Sequence, residues 1–175
     1  STILEKGENG LILENYKLEA ISIDEIDKTL SNYRKVRAKY KPQYKTLPKP
    51  EKAGRAIEVN MTLFKVLIDN ILSNADKYAF SSKESTNQLI IELKATDDYL
   101  ELNIRNNGIP FPNNFDKEKF ITKFKTTSGT GLGGYDINRI TTYFKNPEWE
   151  LELKKEDVFP VVFKFSFPII PMINE

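Results

Sequence analysis

Asn70-Ile-Leu-Ser-Asn74-Ala-Asp-Lys77-Tyr78 is the stretch on which the reading of this chain turns. It closes a helical pattern that begins near Asn60, a residue suited to capping the first N–H groups of a helix, and that places Leu63, Val66, Leu67, Ile71 and Leu72 on the buried side. An asparagine inside such a helix is by itself most simply a satisfied core amide, and Lys77 by itself a surface lysine. Two further clusters change that weighting by accompanying it: Asn106-Asn107-Gly108-Ile-Pro110-Phe after a strand, and Gly129-Thr130-Gly131-Leu132-Gly133-Gly134 opening a helix. Each alone is weak, since Asn-Gly is also a hairpin signal and a glycine-rich run is more often a flexible loop than a phosphate cradle.

Working outward, Lys17 to Ile23 reads as a short strand, and Ser22 with Glu25 as a capping box before a helix with the apolar stripe Ile26, Leu30, Tyr33 and Tyr40. Positions 34 to 55 carry Arg34, Lys35, Arg37, Lys39, Lys41, Lys45, Lys49, Lys52 and Arg55, interrupted by Pro42, Pro48 and Pro50. A docking stripe is one reading; a solvated helix face followed by a proline-broken loop is the simpler one. Gln88 to Ala95 and Tyr99 to Arg105 form a hairpin through Thr96-Asp97-Asp98, with Leu100, Leu102 and Ile104 alternating against polar neighbours. Residues 106 to 134 are long, polar and weakly periodic, which suits a lid. A helix over Tyr135 to Phe144 follows, then alternating strands around Trp149-Leu151-Leu153 and Val161-Phe163-Phe165-Phe167. No internal repeat and no second domain interrupts this order.

The 175 residues suffice for one core, and 39% hydrophobic with 11% aromatic content is globular. Basic and acidic residues number 26 and 25, so no global field exists to hold nucleic acid. The chain has neither Cys nor His, which removes disulfides, thiolate metal sites and any internal histidine phospho-acceptor, and suits a reducing cytoplasm. No run approaches the roughly 20 apolar residues that span a bilayer. A start at Ser1 leads us to expect a fragment of something longer.

Two phosphate motifs fail on context. The run from Gly129 matches G-x-G-x-x-G, yet the preceding Ile121 to Ser128 is a poor apolar strand, and the Walker A ending is replaced by Gly133-Gly134-Tyr135. Taken together and in order, the clusters instead resemble the N, G1 and G2 boxes of the GHKL superfamily, which includes sensor histidine kinases, Hsp90, MutL and the type II topoisomerase ATPase. LIDNILSNADKY is similar to the N box, RNNGIPFP to a variant G1 box, FITKFKTTS to the F box and GTGLGGYDI to the G2 box. The likeness spans roughly residues 17 to 170. It implies an α+β, two-layer α/β sandwich of the Bergerat type, with a mixed, mostly antiparallel sheet packed on helices on one face and an ATP lid. Residues 17–175 would be the catalytic domain, and 1–16 a lead-in from a helical dimerisation domain.

By resemblance, Asn74 supplies a side-chain oxygen to Mg2+, an ion that needs few protein oxygens when phosphates provide the rest. Lys77 would meet phosphate charge and Tyr78 would lie against base or ribose. Gly108 and Pro110 belong to the box that holds the base, and Gly129, Thr130, Gly131, Leu132 and Gly133 would wrap the triphosphate with backbone N–H groups. Three departures stand out. Asn106 occupies the place of an aspartate that accepts from the adenine amino group, which predicts about five- to tenfold weaker binding and a less secure adenine preference. Pro110 replaces a glycine, and Gly134 replaces a leucine, which predicts lost packing and a looser lid.

Hydrolysing members resemble one another in carrying a glutamate four residues before the N-box asparagine; here that residue is Asn70, which cannot take a proton from water. Transfer to an imidazole asks mainly for positioning and charge neutralisation, so Asn70 is tolerable there. The resemblance therefore implies a monomeric, cytoplasmic catalytic domain of a two-component sensor histidine kinase. It would pass the γ-phosphate of Mg-ATP to a histidine outside this chain, with a response regulator downstream. A nucleotide-binding module without transfer, or a GHKL ATPase, are the alternatives.

Overall fold

Alternation of apolar and polar side chains builds the sheets, and three apolar-faced helices close over one of them. The computed structural model describes residues 6–7, 10–46, 54–123, 133–146 and 148–172. In chain order these form β1 (Lys6–Gly7), β2 (Gly10–Leu11), a 3-10 turn (Leu13–Asn15), β3 (Glu19–Ser22), α1 (Ile23–Ser31), β4 (Gln43–Thr46), β5 (Arg55–Val59) and α2 (Met61–Asn74). A π-helical turn (Ala75–Ala79), β6 (Leu89–Ala95), β7 (Tyr99–Asn106), α3 (Lys117–Lys123), α4 (Gly134–Tyr143), β8 (Glu150–Leu153), β9 (Val161–Pro168) and β10 (Ile170–Pro171) follow.

The main sheet has the order β4-β6-β7-β9-β8, antiparallel except for the β4–β6 pair. Register places Leu100, Leu102 and Ile104 opposite Phe167, Phe165 and Phe163, so one face is continuously apolar while Glu101, Asn103 and Arg105 lie on the other. Against the apolar face pack Leu63, Leu67 and Ile71 of α2, Phe120 of α3, and Ile137 and Ile140 of α4, all within one buried cluster. A smaller antiparallel sheet, β10-β5-β3, extends the structure beside α1. The architecture is thus the α+β two-layer arrangement with a mostly antiparallel sheet.

Both caps read from the sequence form. Ser22 Oγ accepts from Glu25 N–H at 3.1 Å, and Asn60 Oδ1 accepts from Leu63 N–H at 3.1 Å, while Asn60 Nδ2 donates to the Lys17 carbonyl at 2.9 Å.

Three sequence expectations need correction. Helix α1 ends at Ser31, so Tyr33 and Tyr40 do not continue its stripe. Tyr40 is buried from a loop instead, its hydroxyl donating to the Leu72 carbonyl at 2.7 Å, and Arg37 holds that loop to Asp76 at 2.8 Å and Ser73 at 3.0 Å. The proline-broken region contains β4, a strand with too few apolar residues to announce itself, stabilised by parallel pairing with the buried β6. Residues 106–134 are not lid throughout. Asp116 caps α3 by accepting from Lys119 N–H at 2.8 Å, and Phe120 of that helix is fully buried.

Candidate functional site

Helix α2 delivers Asn74 at its last turn, where the backbone widens into the π-helical turn closed by Phe80 N–H on the Ala75 carbonyl at 3.2 Å. Strand β7 delivers Asn106 at its end. What joins the two is Gly108. A Cβ there would lie 2.3 Å from the Ala79 carbonyl oxygen and 2.7 Å from Ala79 Cβ, so only glycine lets the chain pass. Ile109 N–H then donates to that same carbonyl at 2.7 Å. Asn107 fixes the neighbouring strand, accepting from Gln88 N–H at 2.7 Å and donating to the Thr86 carbonyl at 2.8 Å.

Between these elements lies a cavity of about 250 Å³. Ile71, Ala75, Phe111, Phe120, Val161 and Phe163 make its walls apolar, and Asn74, Tyr78 and Asn106 supply its side-chain polar groups. Asn74 is 6% exposed, and neither Oδ1 nor Nδ2 has a hydrogen-bond partner among the described residues. A buried amide left in that state costs about 1–3 kcal/mol per group, so an answering ligand is the chemical expectation. A hard cation that accepts one amide oxygen and takes its remaining ligands from phosphate and water fits this donor set. Among the described residues no group of three or more carboxylates is gathered to hold a metal by itself.

The residues singled out from sequence separate into groups. Asn74, Tyr78, Asn106 and Pro110 line the cavity, with Tyr78 half exposed at 51%. Gly108 positions the lining by its contact with Ala79. Lys77 is exposed, and Asn70 is buried at 1% with no partner for its Nδ2 among the described residues; neither lines the cavity. Gly133 caps α4 in extended backbone. Gly129, Thr130, Gly131 and Leu132 lie outside the described residues.

Gly134 reverses its expectation. A Cβ there would sit 2.5 Å from the Phe120 carbonyl oxygen and 2.6 Å from its ring, so the position is closely packed rather than underfilled. Because Phe120 also lines the cavity, this contact sets the N-terminal end of α4 beside the cavity wall. The aromatic wall was missed in the sequence, although Phe111 and Phe120 stood inside the quoted motifs. Phe111 stacks on Phe115 with centroids 4.6 Å apart and meets Phe120 edge-on at 6.0 Å.

Shifted acids and bases lie away from this cavity. Partial desolvation raises the carboxyl of Asp69, an otherwise exposed residue, and Arg37 opposes the rise. Burial lowers the Lys117 ammonium, which donates to the Trp149 carbonyl at 2.5 Å and sits 4.5 Å from that ring's centroid, tying α3 to the start of β8. A larger cavity of about 480 Å³ lies near Tyr99, Glu101, Lys164 and Trp149. None of the motif residues lines it, so its size gives it no claim to the chemistry.

Residues 60–168 match the family described as histidine kinase-, DNA gyrase B- and HSP90-like ATPase, and the chain belongs to that family. It is an ATP-binding domain of that kind. Its fold is similar to a mycobacterial sensor histidine kinase, MprB, at 18% identity and TM-score 0.60, covering 89% of this chain and 99% of that one. It is likewise similar to the Acinetobacter baumannii histidine kinase AdeS at 16% identity and TM-score 0.59, covering 90% and 72% respectively. A third likeness, at 16% identity and TM-score 0.55 over 86% of this chain and 41% of the other, is to histidine kinase ThkA in complex with the response regulator protein TrrA. No curated protein matches the chain in sequence.

Proposed function

We propose that this chain is the catalytic domain of a sensor histidine kinase, binding Mg-ATP and presenting the γ-phosphoryl group to a histidine outside residues 1–175. The observation that carries the proposal is the convergence of Asn74, with both amide atoms buried and unpartnered among the described residues, and Asn106 on one apolar cavity beside the N-terminal end of α4.

In this reading Asn74 Oδ1 holds Mg2+, and the ion when bound neutralises phosphate charge. The walls at Ile71, Phe111 and Phe120 exclude water from the base. Tyr78 lines the cavity half exposed, and the exposed Lys77 one residue earlier supplies positive charge for phosphate on a flexible side chain. The glycine run 129–133, by its resemblance to the G2 box, would wrap the triphosphate through backbone N–H groups, next to the start of α4, whose dipole favours anions. Asn70 puts an amide, and not a carboxylate able to activate water, one helical turn before Asn74, which favours transfer over hydrolysis. We place residues 17–175 in the catalytic domain and 1–16 as its lead-in, with the parent kinase's catalytic portion in the cytoplasm and a response regulator downstream. Among the described residues no helix is long and apolar enough to cross a membrane.

Incubation with Mg-ATP labelled at the γ-phosphate and a separately supplied histidine-bearing helical domain tests this. Acid-labile, base-stable label on that domain is expected. Tight nucleotide binding without label would leave a binding module, and sustained phosphate release by the chain alone would make it an ATPase.

A further inference from the structure

The two cavity asparagines are not equivalent, because Asn106 is already half engaged. Its Oδ1 accepts from Gly108 N–H at 3.0 Å. A backbone N–H can face only an acceptor, so turning the carboxamide over would set NH2 against N–H. Gly108 cannot retreat to relieve that clash, being wedged against Ala79 with the next residue hydrogen-bonded to the Ala79 carbonyl at 2.7 Å. Asn106 is 5% exposed and lines the cavity, and its Nδ2 makes no hydrogen bond to the described residues. The amide therefore offers the cavity a donor.

Position 6 of a purine is a donor in adenine, as the amino group, and an acceptor in guanine and hypoxanthine, as O6. We infer that Asn106 makes this site favour 6-oxo purine nucleotides over adenine nucleotides, an inference that rests on the nucleotide-binding reading above. Asn106 Nδ2 donates to O6, whereas an adenine amino group meets it donor to donor. The apolar walls at Ile71, Phe111 and Phe120 read no base edge, and with Asn74 assigned to the metal and Tyr78 half exposed, discrimination falls to position 106. A carboxylate there would accept from Gly108 with one oxygen and still present an acceptor with the other, so one exchange of NH2 for O− reverses the preference.

Calorimetric titration of the intact chain with Mg-ATP, Mg-GTP and Mg-ITP tests this, the inosine nucleotide separating the 6-position from the guanine 2-amino group. The unaltered chain is expected to bind Mg-ITP about tenfold more tightly than Mg-ATP, the effect of one buried donor paired or unpaired. Asn106→Asp is expected to invert that order. The comparison within the unaltered chain decides the matter even where the variant folds poorly. Tighter binding of Mg-ATP than Mg-ITP, or an Asn106→Asp change that shifts all three nucleotides equally, overturns the inference and leaves nucleotide binding standing. No binding of any of the three overturns both.

Discussion

Asn74 and Asn106 carry the same side chain into the same cavity and are held in opposite ways. At the end of α2 the amide of Asn74 has no partner for either atom among the described residues, whereas at the end of β7 the oxygen of Asn106 is fixed by Gly108. A protein interior normally satisfies its buried amides, so an unsatisfied one is a local defect in the unliganded fold. The difference teaches where the two duties lie: Asn74, without a partner among the described residues, carries a cost in stability, and Asn106 is oriented by the Gly108 backbone.

The largest expected effect of breaking that contrast is at Asn74. Asn74→Leu, with the same branched outline and no polar atoms, should stabilise the nucleotide-free chain by about 1–3 kcal/mol in urea denaturation while weakening Mg-nucleotide binding about 100-fold. Lower stability with unchanged binding would contradict it. Next come the two glycines that place the surrounding walls. Gly108→Ala and Gly134→Leu each force a side chain into backbone or ring atoms already closer than contact distance, and each should cost about 1–3 kcal/mol by denaturation. An increase in stability for Gly134→Leu would show that the position is underfilled after all.

Smaller effects sharpen the contrast from outside the cavity. Lys77 is exposed, so Lys77→Ala should weaken Mg-ATP binding by about fivefold or less, and the loss should shrink further in high salt. The smallest concerns Asp69, one residue before Asn70 on α2. Partial desolvation raises its folded carboxyl above the ordinary value although the residue is exposed, so a small favourable contribution is complete below an unfolded pKa of about 4 and is lost as pH rises through the raised folded one. Asp69→Asn should therefore gain in melting temperature relative to the unaltered chain at pH 7, and gain less at pH 4.

Much of this organisation is legible in the order of the residues alone. Asn60 and Ser22 announce their caps, because capping is a local interaction between residues three apart. The hairpin of β6 and β7 and the strand β9 show period-two alternation strong enough to give both strand and face. What escapes such a reading is tertiary in origin. Gln43–Thr46 becomes a strand only because β6 offers a parallel partner 47 positions on. Tyr40 is buried through a hydrogen bond to Leu72, not through helical periodicity. Phe120 and Gly134 have to be read as a pair, since the ring of one fills the space that a side chain at the other would need. The motif residues of the cavity can be named in sequence, but which amide atom Asn106 presents depends on Gly108 being held against Ala79, a contact that no spacing reveals.

The most direct measurement is a paired titration of the chain and of Asn74→Ala with ATP, once in excess Mg2+ and once in a chelator. If Asn74 Oδ1 holds the ion, Mg2+ strengthens binding to the unaltered chain and gives the variant little or none of that gain. Equal strengthening of both by Mg2+ would contradict it, because the metal would then be held without the cavity amide whose two atoms have no partner among the described residues.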